Sequence, residues 1–159
     1  MKSDAKLIAA LNDLLSDELT AVNQYMVHSE MCAHWGYHEL HEMIEERAID
    51  EMKHSEAHIS RILFLEGTPD VTKYKKVTIG NDVKAMIEND TALELDAVKA
   101  YNKVIALAGE SGDESTADYL VEILQQEEGH LDWGEKQLAQ IEQMGMENYL
   151  AAQAGSEED

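Results

Sequence analysis

Residues 18–25 read Glu18-Leu19-Thr20-Ala21-Val22-Asn23-Gln24-Tyr25, and residues 94–101 read Glu94-Leu95-Asp96-Ala97-Val98-Lys99-Ala100-Tyr101. Glu, Leu, Ala, Val and Tyr therefore recur at an offset of 76 residues, and the same offset carries Glu51 and His54 onto Glu127 and His130. A single Glu-x-x-His says little, because seven His and 21 Glu in 159 residues give about one such match by chance. Two matches in register with a second repeated acid are more specific. They describe two copies of one helical hairpin, whose first helix supplies Glu and whose second supplies Glu-x-x-His. In a helix, residues three apart share a face, so each Glu-x-x-His aims a carboxylate and an imidazole at one point.

These acids interrupt apolar seams. Glu18 lies between Leu14 and Val22, Glu94 between Ile87 and Tyr101, and Glu127 between Leu124 and Leu131. A carboxylate taken out of water costs several kcal/mol unless it is paired, and four together also repel. Lys and Arg are not in excess on those faces, so bound cations are the simplest compensation. Glu18, Glu51, His54, Glu94, Glu127 and His130 can supply two metal ions with oxygen-rich coordination, a set that suits iron or manganese better than a thiolate-seeking metal. Zinc and cobalt would also bind such a set.

Outward from these segments the pattern is all-α. Pro69 is the only proline, and Gly36, Gly67, Gly80, Gly109, Gly112 and Gly145 mark the breaks. Four helices are expected, from about Asp4 to His34, Tyr37 to Glu66, Asn81 to Ala108, and Ser115 to Met144. A short fifth should follow to about Ala154, so that residues 1–154 form one domain and 155–159 a disordered acidic tail. Leu7, Leu11, Leu14, Val22 and Tyr25 share a face of the first helix, and Leu120, Leu124, Leu131, Leu138 and Ile141 a face of the fourth. The first and second helices, and the third and fourth, have only short breaks between them and should form antiparallel hairpins. Residues 67–80 include Val71, Thr72, Val77, Thr78 and Ile79 and favour extended backbone. Fourteen extended residues span roughly 46 Å, about the length of a thirty-residue helix. The third helix can therefore start beside the start of the second and run parallel to it, a bundle with one long crossover.

Composition limits the function. Twelve basic against 33 acidic side chains give a formal charge of −21, which argues against nucleic acid or an anionic membrane as partner. Cys32 is the only cysteine, so one chain can build no internal disulfide, Cys-based zinc site or iron–sulfur cluster. The amino terminus enters an amphipathic pattern without the apolar stretch of a signal peptide, and no apolar run reaches membrane-spanning length. A cytoplasmic setting is expected. His28, His34, His38, His41 and His58 share none of the metal register and are expected mostly at the surface.

The segments 18–25, Ile49-Asp50-Glu51-Met52-Lys53-His54, Arg61-Ile62-Leu63-Phe64-Leu65-Glu66-Gly67 and Glu127-Glu128-Gly129-His130-Leu131-Asp132-Trp133 resemble those of the bacterioferritins, within the ferritin-like superfamily, over about residues 1–150. The resemblance implies a hollow shell of 24 subunits that stores iron. The six ligands would form a di-iron ferroxidase centre in each subunit, where dioxygen or hydrogen peroxide takes electrons from Fe(II). It also implies that Met52, one from each of two subunits, ligates a b-type haem, with Leu19, Val22, Asn23, Met26, Ile49 and Ile59 forming an apolar stripe around that interface. A small ferredoxin would then deliver electrons for iron release. Tyr25 and Trp133 are implied as electron donors, and Asp50 with Glu46 as an inner-surface iron site. Two positions depart from the pattern: Glu45, where many members carry an aromatic residue, and Glu46, where members carry His.

Three other functions compete. A rubrerythrin-like di-iron peroxidase or oxidase would use the same six ligands without storage, but the chain lacks a Cys-x-x-Cys electron-transfer module. A DNA-protecting mini-ferritin places its metal between subunits and often has basic tails. An acidic helical interaction module would need none of the six residues.

Overall fold

The computed structural model describes residues 1–155. Its helices are α1 (Ala5–His34), α2 (His38–Phe64), α3 (Val83–Glu110), α4 (Glu114–Met144) and α5 (Met146–Gln153). Each boundary lies within about two residues of its expected place. Residues 156–159, most of the expected acidic tail, lie outside the described residues.

Aspartates set three of the helix starts. The side chains of Asp4, Asp82 and Asp113 accept from the backbone N–H groups of Lys6, Ala85 and Thr116, each cap stabilising its helix by about 1 kcal/mol. Asp113 also accepts from Arg61 at 2.9 Å, which ties the last turn of α2 to the first of α4. Gly36 closes the α1–α2 turn with φ +85°, a left-handed conformation that favours glycine.

The crossover, residues 65–82, runs along α1 and is held by its polar side chains. The backbone N–H groups of Asp70, Lys75, Thr78 and Gly80 donate to Asn12 Oδ1, Thr20 Oγ1, Gln24 Oε1 and His28 Nε2, at 2.8–3.0 Å. Because acceptors and donors rise together in sequence, the crossover is parallel to α1. It therefore returns the chain to the end where α2 began, and α3 starts parallel to α2. The extended segment pairs with no strand; side chains of α1 satisfy its amides instead. His28 is thus fully buried, contrary to the surface position expected of it, and His58 is buried as well.

Two apolar clusters fill the bundle. One gathers Leu7, Leu11, Leu14, Ile62, Leu120 and Leu124 with neighbours, and the other Tyr25, Ile44, Met86, Ile87, Ile141 and Tyr149. Val22, Leu131 and Leu138, assigned to core faces from periodicity, are only half-buried. Buried Tyr149 brings α5 onto the second cluster and donates to Gln137 Oε1 at 2.7 Å. No helix among the described residues is long and apolar enough to cross a membrane.

Gly80 sits where the crossover meets α3. A Cβ there would lie 2.4 Å from the Met86 backbone nitrogen, which cannot yield without moving the helix start. Gly80→Ala should therefore destabilise the fold by about 1–3 kcal/mol in urea unfolding, with an unchanged denaturant slope.

Candidate metal centre

Each of the four long helices contributes to a polar layer between the two apolar clusters. Glu18 comes from α1, Glu51 and His54 from α2, Glu94 from α3, and Glu127 and His130 from α4; all six are buried. They form two overlapping groups. Glu18, Glu51, His54 and Glu127 each offer a ligand atom within 4.8 Å of the others, and so do Glu51, Glu94, Glu127 and His130. Glu51 and Glu127 belong to both groups. The arrangement assigns Glu18 with His54 to one end and Glu94 with His130 to the other, with Glu51 and Glu127 between. The sequence offset paired the residues but did not reveal which acids are shared.

Both imidazoles turn Nδ1 toward the carboxylates. His54 Nδ1 lies 2.8 Å from Glu127 and 3.2 Å from Glu51, while its Nε2 lies 2.8 Å from Gln126 Oε1. His130 Nδ1 lies 3.0 Å from Glu51 and its Nε2 3.3 Å from Asp50. An outer acceptor that takes the Nε2 proton leaves Nδ1 as the free donor for a metal. Gln126 follows Asp50 by the same 76 residues, so the two outer acceptors hold equivalent places in the repeat, although the acceptor role was not foreseen for either.

Two tyrosines close the layer crosswise. The Tyr25 hydroxyl on α1 donates to Glu94 on α3, and the Tyr101 hydroxyl on α3 donates to Glu18 on α1. This reciprocity is the 76-residue offset expressed in space. Trp133 stands beside the layer with the Arg47 guanidinium 5.2 Å from its ring centre. Of the pair expected at an inner-surface site, Asp50 reaches His130, whereas Glu46 is exposed. Met52, next to Glu51 in sequence, is 46% exposed on the outer face of α2.

The layer is electrostatically unbalanced without cations. Burial, then the charges of Glu18 and Glu127, push Glu51 well above the usual carboxylate range; burial and Glu18 do the same to Glu127. For Glu18 burial is opposed and outweighed by hydrogen bonds from Glu51 and His54, which bring it down to about 2. Burial would lower His54, but Glu127 and Glu18 carry it up to about 10. Glu94 Oε2 is buried with no hydrogen-bond partner, and Glu18 Oε2 has only the His54 ring, 3.5 Å away. Oxygens left free in this way, beside two imidazole Nδ1 atoms turned toward the carboxylates, fit a pair of divalent cations. A third group, Glu30, His41 and Glu45, is more exposed.

A helical bundle whose core is crossed by four carboxylates and two imidazoles has the build of the ferritin-like proteins. A family model described as a ferritin-like domain matches residues 8–144, and the chain belongs to that family. It is 41% identical over 157 residues to the bacterial ferritin of Paramagnetospirillum magnetotacticum, covering 98% of this chain and 96% of that one. It is 37% identical to the bacterioferritin of Mycolicibacterium paratuberculosis, covering 95% of each chain. It is also 37% identical to the bacterial ferritin of Synechocystis sp., covering 96% and 99%. The resemblance to bacterioferritins thus extends over nearly the whole chain.

Metal uptake here would compete with protons, because His54, Glu51 and Glu127 are all shifted toward their protonated forms. Lower pH keeps those protons in place, so affinity should rise with pH. Calorimetric titration of the metal-free protein with Co(II), in buffers of different ionisation enthalpy, should show net proton release and tighter binding at pH about 7.5 than at about 5.5.

Proposed function

We propose that this chain stores and detoxifies iron, oxidising Fe(II) to Fe(III) at the centre formed by Glu18, Glu51, His54, Glu94, Glu127 and His130. The observation that carries this reading is the pair of overlapping ligand groups that share Glu51 and Glu127. Two iron ions held there would give electrons to dioxygen or hydrogen peroxide, a redox step that no side chain of the set performs alone. The chain's own part is positional. Glu51 and Glu127 bring two cation positions close together, and Gln126 and Asp50 fix the imidazole orientations. A cleft of about 390 Å³, lined by Asp17, Glu18, Gln24, Lys75, Glu94 and Asp96 among others, runs beside the layer and offers cations an acidic approach.

In the same reading the chain assembles into a shell of 24 copies in the cytoplasm, with the Fe(III) mineral inside. Exposed Met26, Ile49 and Met52 on α1 and α2 support a contact with a second copy. There the thioether of Met52 from each subunit would ligate a b-type haem, a soft donor suited to haem iron. A ferredoxin-type reductant would return electrons through that haem for iron release.

Anaerobic protein should take up two Fe(II) per subunit and oxidise them when air is admitted, followed by absorbance in stopped flow. Glu18→Ala, Glu94→Ala and His130→Ala should each slow this by roughly a hundredfold or more, since each removes a ligand. Size-exclusion chromatography should show a large assembly, and a monomer with ligand variants as active as wild type would refute the proposal. A Soret band that is lost in Met52→Leu but kept in Met26→Leu is the expected sign of haem.

A further inference from the structure

Three polar side chains cross the first apolar cluster, and the metal centre as described does not use all of them. The Tyr101 hydroxyl donates to Glu18 Oε1 at 2.5 Å. His58 Nε2 lies 2.6 Å from the same hydroxyl oxygen, and His58 Nδ1 lies 3.0 Å from the Tyr119 hydroxyl. Tyr101 and His58 are fully buried. Tyr119 is half-buried and lines an open surface groove with Ile105, Glu114, Asp118 and Glu122. The chain of contacts therefore leads from a surface groove to the metal layer.

Donor counting gives this chain a direction. A phenol has one proton, and that of Tyr101 is committed to Glu18, so the Tyr101 oxygen must accept from His58 Nε2–H. A neutral imidazole has one N–H, so His58 Nδ1 must accept the Tyr119 proton. Burial holds His58 down to about 4 against the opposing pull of Glu18, in keeping with a neutral ring. All three donors then point inward, from Tyr119 to His58, from His58 to Tyr101, and from Tyr101 to Glu18.

The internal repeat does not account for this row. An offset of 76 residues carries His58 to Gly134 and Met43 to Tyr119. Tyr25, the counterpart of Tyr101, therefore makes its bond to Glu94 without a histidine behind it. One half of the duplicated site has an added polar row through Leu11, Leu14, Ile62, Leu120 and Leu124, where apolar side chains would fill the space without hydrogen bonds to satisfy.

We propose that Tyr119, His58 and Tyr101 relay protons from the surface groove to Glu18, supplying those that dioxygen reduction consumes at the centre; this rests on the ferroxidase function proposed above. Reduction of dioxygen to hydrogen peroxide takes two electrons from the iron pair and two protons from the protein. In each passage, groove water protonates the Tyr119 oxygen as the Tyr119 proton moves to His58 Nδ1. The Nε2 proton of His58 moves to the Tyr101 oxygen, and the Tyr101 proton moves to Glu18 Oε1. One proton enters from the groove and one passes on from Glu18 to the oxygen being reduced; the starting tautomer is restored when the row opens to groove water, His58 losing the Nδ1 proton and taking one up at Nε2.

Two variants test the relay with little change of shape. Tyr119→Phe removes only the outermost hydroxyl. His58→Gln keeps one donor and one acceptor, but an amide does not take up one proton as it passes another. Both variants should bind Co(II) at wild-type stoichiometry, and at saturating Fe(II) both should oxidise it roughly tenfold or more slowly. Their remaining rate should fall as pH rises from about 6 to 8, where the wild type stays flat. In metal-free protein, nitrogen-15 spectra of labelled histidine should show His58 with its proton on Nε2 and a bare Nδ1. A proton on His58 Nδ1, or wild-type rates and pH profiles in both variants, would overturn the relay and leave ferroxidase activity standing. A wild-type chain that oxidises no Fe(II) would overturn both.

Discussion

Four carboxylates buried in one layer across a helical core are the constraint to which the rest of the molecule answers. Placing even one ionised carboxyl out of water costs several kcal/mol, and here Glu18, Glu51, Glu94 and Glu127 are all buried between two apolar clusters. The layer compensates in part by itself: Glu51 and Glu127 are pushed toward the protonated form, His54 toward imidazolium, and Tyr25 and Tyr101 supply hydroxyl donors. That remedy is partial, since Glu94 Oε2 keeps no partner. Two divalent cations would complete it.

Bringing four acids from four helices to one level requires the topology. Each hairpin supplies half of the layer, and only a long return places the halves face to face with matching direction. Thr20, Gln24 and His28 serve this return, because they satisfy the amides of an extended segment that has no strand to pair with. Gln24 and His28 also share Asp90 on α3, at 2.8 Å each. The crossover is thereby fastened to the first and third helices beside the metal layer. The cleft between them keeps an acidic wall.

Helices, hairpins, crossover and all six clustered residues were legible in the sequence, because a repeated register is a statement about two helical faces at once. What could not be read was whatever depends on contacts between faces. The offset pairs Glu51 with Glu127 and Asp50 with Gln126, but it does not say which acids are shared or which side chains stand behind the imidazoles. His28 and His58, in a group expected mostly at the surface, were missed for the same reason: neither shows a metal spacing, and their partners lie 43 to 62 residues away in the chain. A buried histidine satisfied by a backbone amide or a tyrosine leaves no periodic trace.

Two overlapping ligand groups that share Glu51 and Glu127 would give one subunit two cation positions. Anomalous diffraction from crystals soaked in Mn(II) or Co(II) tests it most directly. Two peaks about 3.5–4 Å apart are expected, one beside Glu18 and His54 and the other beside Glu94 and His130, with the Glu51 and Glu127 carboxylates between them. A single peak in the layer, or peaks only at the exposed Glu30, His41 and Glu45 group, would contradict it.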